Sequence, residues 1–469
     1  MKKVFLSLFL LASLFSQAQE EIWRPSPALT PAQSETLAPE VERADTARKP
    51  ILLSDKDLLQ NPALMARILD RALEMREWKI AEHLLNLYTS MPERDETLVE
   101  YATARIAHAK GDYENAIRTY RTILSSHPDL APVRLYLAQA LFENKEYEAS
   151  SFQFEKLRTG EIPVAVMEIS TRYLEAIQKN GGWRWNGWIN YLDEDNINNA
   201  SNDKYLQVGD LVMERTPESL PQKGKGIGYG GTIAKDFFLH DHQAITTMFQ
   251  LNGKSYWNHH DFDDFIGRIN IGYKMQNARV SAAVSPFFQK RFFGNSPYND
   301  SYGTRLDASY IITPRWQTGA AWEYGINRYD ERTFLDGWYQ FASLSTSYAF
   351  STQTLIFLGA DLFDDHTQEA SESSLRTGIR IGIAHDLPWD ISTQLQGGYA
   401  SRVFKDAPNM FAARRYDHEY NALITVWNRQ WYRWGVMPKL NYEYQKTSST
   451  INLYTYEKNR FFLNLEKRF

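Results

Sequence analysis

The sequence predicts an α + β multidomain chain, with an N-terminal α-helical solenoid followed by a C-terminal 14-stranded antiparallel transmembrane β-barrel. Three observations carry this. Residues 183–469 are written as fourteen stretches in which apolar and polar side chains alternate. The connections between those stretches alternate short and long. Residues 61–163 have a helical period and repeat themselves.

Taken from the start, Lys2 and Lys3 precede an apolar run over residues 4–15, and Ser16, Gln17 and Ala18 supply the small residues of a signal-peptidase site. Residues 1–18 therefore read as a signal peptide. Residues 19–60 carry Pro25, Pro27, Pro31, Pro39 and Pro50 among polar and small residues, too many prolines for a helix and too few apolar groups for a core. They read as a flexible arm.

Residues 61–180 form the helical domain. Tyr113, Ala116 and Tyr120 recur as Tyr147, Ser150 and Phe154, each 34 residues on, and Ala104 recurs as Ala138 at the same displacement. Trp78, Ala81 and Leu85 precede the first set by 35. A helical pair of that length resembles a tetratricopeptide repeat, in which small residues let two antiparallel helices approach closely. Gly111 falls at the turn, Ala116 at the small position of the second helix, and Pro128 at the repeat's end, as in that family. The outer copies depart from it at Leu69, Ser150, Glu93 and Ile162, as capping repeats do. A last helix over 164–179 is stopped by Gly181 and Gly182 and leads into the first strand.

The barrel strands are expected near residues 183–193, 227–237, 243–257, 262–274, 279–291, 302–312 and 315–329. The second seven follow near 337–349, 354–364, 375–386, 391–404, 416–428, 432–446 and 456–469. Leu375, Thr377, Ile379, Ile381 and Ile383 share one parity, with Arg376 and Arg380 on the other. A barrel strand shows lipid with one side chain and the lumen with the next, so the arginines must face water. A fifteenth candidate, 205–213, conflicts with the even count needed when the helical domain and the C-terminus share the periplasmic side. Residues 240–242, 276–277, 313–314, 351–352, 387–390 and 429–431 read as tight periplasmic turns. Residues 194–226, 292–301, 365–374 and 405–415 read as long external links. Pro286 and Pro438 sit inside proposed strands and call for bulges or shifted boundaries. Phe461, Leu463, Leu465 and the final Phe469 keep one parity apolar and resemble the signal by which the barrel assembly machinery recognises its substrates.

Bulk properties set limits on the class. A mean hydropathy of -0.49 is too polar for a bundle of transmembrane helices, and no apolar run beyond residue 20 approaches the ~20 residues a spanning helix needs. The chain has no cysteine, which excludes disulfides and thiolate chemistry. A net charge of -5 excludes a generally basic surface for nucleic acid. Of 13 tryptophans, 11 lie at or after Trp183, as interfacial girdles require. No G-x-S-x-G or H-E-x-x-H motif is present, and no catalytic residue, metal or cofactor is expected. His259 and His260 with Asp261, Asp263 and Asp264, and the run from Asp193 to Asn199, read as solvated external loops rather than metal sites. The binding surface is expected on the repeats, where Tyr101, Arg105, His108, Arg134, Tyr136 and Gln139 line the concave side. Their mixed aromatic and basic character suits an extended or partly folded protein.

A signal peptide, a few tetratricopeptide-like repeats and a 14-stranded barrel together resemble the surface lipoprotein assembly modulator (Slam) family. Residues 183–190, followed by Asp195, Asn196, Ile197, Asn198, Asn199 and Ala200, resemble the start of that family's barrel domain. The resemblance implies a monomeric outer-membrane translocon that takes a protein client from the periplasm to the surface or the medium. The implied client is a lipoprotein, or a secreted haem- or metal-acquisition protein with a small β-barrel domain. Two readings from other classes stand beside it: an exopolysaccharide export barrel and a diffusive porin.

Overall fold

The structure, a computed structural model, describes residues 55–469 apart from residues 161, 209, 210, 412, 435 and 469. The signal peptide and residues 19–54 of the arm lie outside the described residues. The helical region begins earlier than the sequence suggested, because residues 55–59, assigned to the arm, form a short helix whose Leu58 is buried with the first repeat.

Eight helices are found among the described residues: α1 (Asp55–Leu59), α2 (Pro62–Glu74), α3 (Trp78–Thr89), α4 (Glu96–Ala109), α5 (Tyr113–Ser126), α6 (Ala131–Glu143), α7 (Tyr147–Arg158) and α8 (Val164–Asn180). Local chemistry starts them. Asn61 accepts from the Leu64 N–H at 3.0 Å with Pro62 in the first turn, and Asp95 accepts from the Thr97 N–H at 2.8 Å. The repeat is visible in the backbone. Arg76, Gly111 and Lys145 occupy equivalent turns with φ of 58°, 75° and 63°, so the outer copies adopt with L-residues a conformation that suits only the glycine of the middle one. Ala81, Ala116 and Ser150 occupy equivalent small positions with no exposed surface. Ser150 satisfies its hydroxyl there by donating to the Ala138 carbonyl at 2.8 Å. The core runs in steps along the chain. Met65, Leu69, Leu73, Ala81 and Leu84 pack first, Ala116, Tyr120, Ile123 and Leu137 next, and Phe142, Tyr147, Phe154 and Tyr173 last. This is a solenoid, in which each helix pair buries its face on its neighbour.

The strands are β1 (Arg184–Glu194), β2 (Tyr205–Val208), β3 (Leu211–Glu214), β4 (Gly224–Phe238), β5 (Gln243–Tyr256), β6 (Asp264–Gln276), β7 (Val280–Phe293) and β8 (Ser296–Thr313). They continue with β9 (Trp316–Tyr329), β10 (Gly337–Ala349), β11 (Thr354–Thr367), β12 (Ser374–Asp386), β13 (Ile391–Phe404), β14 (Tyr416–Asn428), β15 (Val436–Ser449) and β16 (Tyr456–Arg468). β1 and β4 to β16 close into one antiparallel barrel of fourteen strands, with β1 between β4 and β16. Closure pairs both edges of every strand, as a lipid environment demands of backbone groups. β2 and β3 pair only with each other, so the 205–213 segment is a hairpin in the first external link and not a wall strand.

Side-chain parity follows the sequence reading. On β12 Leu375, Ile379, Ile381 and Ile383 are exposed on the outside, while Arg376 and Arg380 are buried on the inside. Most strand ends shift by a few residues, and two boundaries shift further. Residues 292–301 are not a long link. β7 and β8 continue to a two-residue turn at Gly294 and Asn295, both with positive φ, as a tight hairpin turn requires. β15 starts at Val436 rather than residue 432, so Pro438 lies beyond the end of the β14 ladder and needs no bulge. At Pro286 the register on β6 is kept, but residues 271–272 and 285–286 are left unpaired.

The helical domain sits against the tight-turn end of the barrel. Phe238 at the end of β4 packs into the last helical cluster, its ring 4.9 Å from Tyr147. His242 lies 3.6 Å from Glu146. Three residues, 181–183, join α8 to β1.

Candidate functional site

The six residues expected on the repeat face divide into two groups. Tyr101 and Arg105 on α4 and Tyr136 on α6 form one cluster. The Arg105 guanidinium lies over the Tyr136 ring at 3.5 Å, donates to the Tyr101 hydroxyl at 2.9 Å and donates to the Leu73 carbonyl of α2 at 3.1 Å. It is only 4% exposed. His108 continues the cluster, with Glu143 at 3.1 Å and its ring against Tyr113 and Tyr120. Arg134 is elsewhere, buried and donating to the Pro128 carbonyl and to Gln153 at 2.9 Å. Gln139 is half-buried.

Both arginines are therefore committed to internal partners. Two carboxylates stand near the cluster, Asp70 of α2, which is exposed, and Glu143 of α6, which is partly exposed beside His108. Burial pushes the Tyr101 phenol up to about 12, keeping it a neutral hydrogen-bonding group. Burial and then the neighbouring Glu74 raise the Asp70 carboxyl, against the pull of Arg105. Asp70 and Glu143 were missed because sequence shows which helix face a residue occupies and not which of its charges are already paired.

The barrel interior has two unlike walls. Along β6 to β14 it is a lattice of ion pairs. Glu323 accepts from Arg268 at 3.1 and 2.8 Å, from Arg305 at 3.1 Å and from the Tyr339 hydroxyl at 2.8 Å. Arg380 lies 2.6 Å from Asp361, and Glu419 takes Arg376 at 2.7 Å and Arg402 at 2.9 Å. Such arrays place each charge in the wall beside an opposite one, which offsets the cost of burying it. Across β16, β1, β4 and β5 the inward positions include Asn464, Asn186, Asn190, Gly228, Gly230 and Asn252. The Trp188 ring lies against Gly230, where a β-carbon would stand 2.6 Å from it.

Within the second wall is the join of the first and last strands. Among the described residues β1 and β16 share seven paired positions, interrupted where residues 191–192 face 462–463. β1 shares eleven with β4, and β15 shares twelve with β16. The run after β1, read from sequence as a solvated loop, is instead buried against β16, with Asn196, Asn198 and Asn199 each no more than 2% exposed. Asp195 accepts from the Asn459 N–H at 3.0 Å, Asn196 donates to the Glu457 carbonyl at 3.3 Å, and Lys458 donates to Asn199 at 3.1 Å. Its polar side chains serve as hydrogen-bonding partners for a strand 260 residues away in sequence, which no local pattern announces. At the other histidine-rich run, Asp263 accepts from Ser255 at 2.9 Å and the Tyr256 N–H at 2.6 Å and lies 2.9 Å from His260, bracing the β5–β6 loop. Of the terminal apolar residues, Phe461, Leu463 and Leu465 point outward at 64%, 43% and 40% exposure, and Phe469 lies outside the described residues.

Comparison with known proteins covers both parts of the chain. The model of the surface lipoprotein assembly modifier family matches residues 183–469, and the model of that family's N-terminal repeats matches residues 51–154. Surface lipoprotein assembly modifier 2 of Haemophilus influenzae is 31% identical over 490 aligned positions, spanning 100% of this chain and 99% of that protein. The hemophilin secretion modulator of Acinetobacter baumannii is 25% identical, spanning 87% of this chain and 86% of that one. Among solved structures, a Pseudomonas aeruginosa FadL homologue covers 61% of this chain and 90% of its own at 12% identity, with a TM-score of 0.37, too low to add to the fold described above. The chain is thus an outer-membrane β-barrel with a helical domain outside the barrel, and it belongs to the surface lipoprotein assembly modifier family.

Proposed function

We propose that this chain is an outer-membrane translocon that receives a protein in the periplasm and delivers it to the cell surface or the medium. The observation that carries the reading is the seating of a repeat domain on the tight-turn rim of a closed barrel, through Tyr147 on Phe238 and Glu146 beside His242. A solenoid supplies an extended surface for another chain, and here that surface is held beside the mouth of the barrel. The names of the relatives support a surface lipoprotein or a hemophilin-like secreted protein as client. On this reading the repeats lie in the periplasm, the chain is monomeric, and Phe461, Leu463, Leu465 and Phe469 serve its recognition by the barrel assembly machinery.

The test deletes residues 61–179 and leaves the barrel in place, with insertion verified by heat-modifiable mobility. Proteins released from intact cells by proteinase K, together with those in the medium, are compared by mass spectrometry among cells carrying the full chain, the deletion and no copy. The deletion should match cells without the chain. Undiminished surface display by the inserted barrel alone would sink the assignment of client capture to the repeats.

A further inference from the structure

We infer that the β1–β16 join is a lateral gate, and that the exported chain leaves the barrel sideways between these two strands rather than through the top of the lumen. This rests on the translocon reading and goes beyond it by naming the route. Among the described residues every other neighbouring pair of wall strands shares ten or more paired positions, whereas β1 and β16 share seven, with a gap in the middle like that between β6 and β7. β1 is also the shortest wall strand, at 11 residues.

What surrounds the join decides how it would part. β1 is tied to β4 along its whole length, and the tie is keyed: Asn190 lies against Gly228 and Trp188 against Gly230, so both side chains occupy space that only a glycine leaves on the neighbouring strand. β16 is tied equally well to β15, by twelve paired positions, by the Tyr442 hydroxyl donating to Asn459 at 2.7 Å and by Arg460 with Glu443. The weak line therefore falls between two stiff pairs. It is closed at its external end by side chains from the segment after β1: Asp195 on Asn459, Asn196 on Glu457 and Asn199 on Lys458, with Glu194 3.2 Å from Arg460 below them. The bonds of Asp195, Asn196 and Asn199 belong to a loop and can be exchanged without breaking the wall.

Among the described residues, the contacts of the helical domain with the barrel lie on the β1 side of this line, at the β4–β5 turn and at Arg279 in the β6–β7 turn. The domain runs through residues 181–183 into β1 and packs on Phe238 and His242 at the β4–β5 turn, so a displacement of the repeats acts directly on β1 and β4. Opening leaves the backbone groups of two strand edges unpaired at membrane depth, which is costly. An extended segment of the exported chain can pair with such an edge. The gate would then stay shut without a client and open with one.

The chain has no cysteine, so one engineered pair yields one defined disulfide. Asn190 and Asn464 are opposed across the join, and Ala308 and Ala320 are opposed across β8–β9. Asn190→Cys/Asn464→Cys and the control Ala308→Cys/Ala320→Cys are oxidised in cells, and the readout is the proteinase K-released and medium protein defined by comparing cells with and without the chain. Lateral exit requires that oxidation of the first pair abolish display, that reduction restore it, and that the control pair leave it unchanged. Undiminished display with the join locked overturns the gate and leaves the translocon reading standing. No difference between cells with and without the unsubstituted chain overturns the translocon reading itself. Should the cysteine pair fail to insert, a photo-reactive phenylalanine at Leu463, which faces lipid within the stretch not paired to β1, gives the second measurement. Cross-linking of exported protein there supports the gate; cross-linking only from inward-facing Thr425 refutes it.

Discussion

Arg105→Ala tests whether the repeat domain depends on an internal cation. The side chain is 4% exposed and connects three helices: α4 itself, α2 through the Leu73 carbonyl at 3.1 Å, and α6 through the Tyr136 ring at 3.5 Å. A buried hydrogen bond from a charged donor contributes about 1.5–3 kcal/mol. A desolvated cation–π contact contributes up to about 2 kcal/mol. Since the two share one side chain they do not simply add, and truncation also leaves a void, so a total loss of about 3–4 kcal/mol is expected. For a domain of this size each kcal/mol shifts the midpoint by roughly 4 °C, giving a fall of roughly 12–16 °C. The assay is thermal melting of the full chain in detergent followed by circular dichroism at 222 nm, where the helices dominate. Arg105→Lys keeps the charge but not the planar fork, and should fall between the two. A midpoint for Arg105→Ala within experimental error of the unsubstituted chain would refute the bridging role and return Arg105 to the set of residues available to a client.

Other expectations follow from the same geometry. Gly230→Ala should lower the heat-modifiable fraction, because the added carbon meets the Trp188 ring at 2.6 Å and Asn252 Oδ1 at 2.7 Å, and Trp188→Ala with Asn252→Ala should restore it; failure of that rescue rejects the keyed contact. Glu323→Leu leaves Arg268 and Arg305 without their shared carboxylate and should cost about 3–5 kcal/mol in a urea refolding titration, with an unchanged midpoint as the contrary result. Gly111→Ala places a side chain at φ 75° and should destabilise the repeats by about 1–2 kcal/mol in the 222 nm melt, whereas a raised midpoint would contradict the left-handed turn. Asp195→Ala with Asn196→Ala removes part of the brace on β16 and should speed disulfide formation between Cys substituted at Asn190 and Asn464; an unaltered rate argues against a latch.

Where the sequence was legible, the reason was periodicity. β10, β13 and β14 lie at the residues expected of them, because alternation is imposed by lipid on one side and water on the other and each strand records it locally. The repeat was legible through Ala81, Ala116 and Ser150, which must be small wherever two helices touch. The β7–β8 hairpin was misread although Gly294 and Asn295 are turn residues, because a long external link was expected by alternation with the short ones. Arg105 and Arg134 were read as surface groups because composition does not reveal a carbonyl or a ring contributed by another helix.

The sequence by itself determined the order of the two parts, the strand count and parity, and the faces that meet lipid, since each of these is a near-neighbour property with a period of two or of a helical turn. Only the tertiary structure decided which charges were already paired, where the repeats rest on the rim, and that the acidic and asparagine-rich run after β1 closes the barrel against its last strand. Those depend on residues more than two hundred positions apart coming within hydrogen-bonding distance, and ring closure, which has no local signature, is what brings them there.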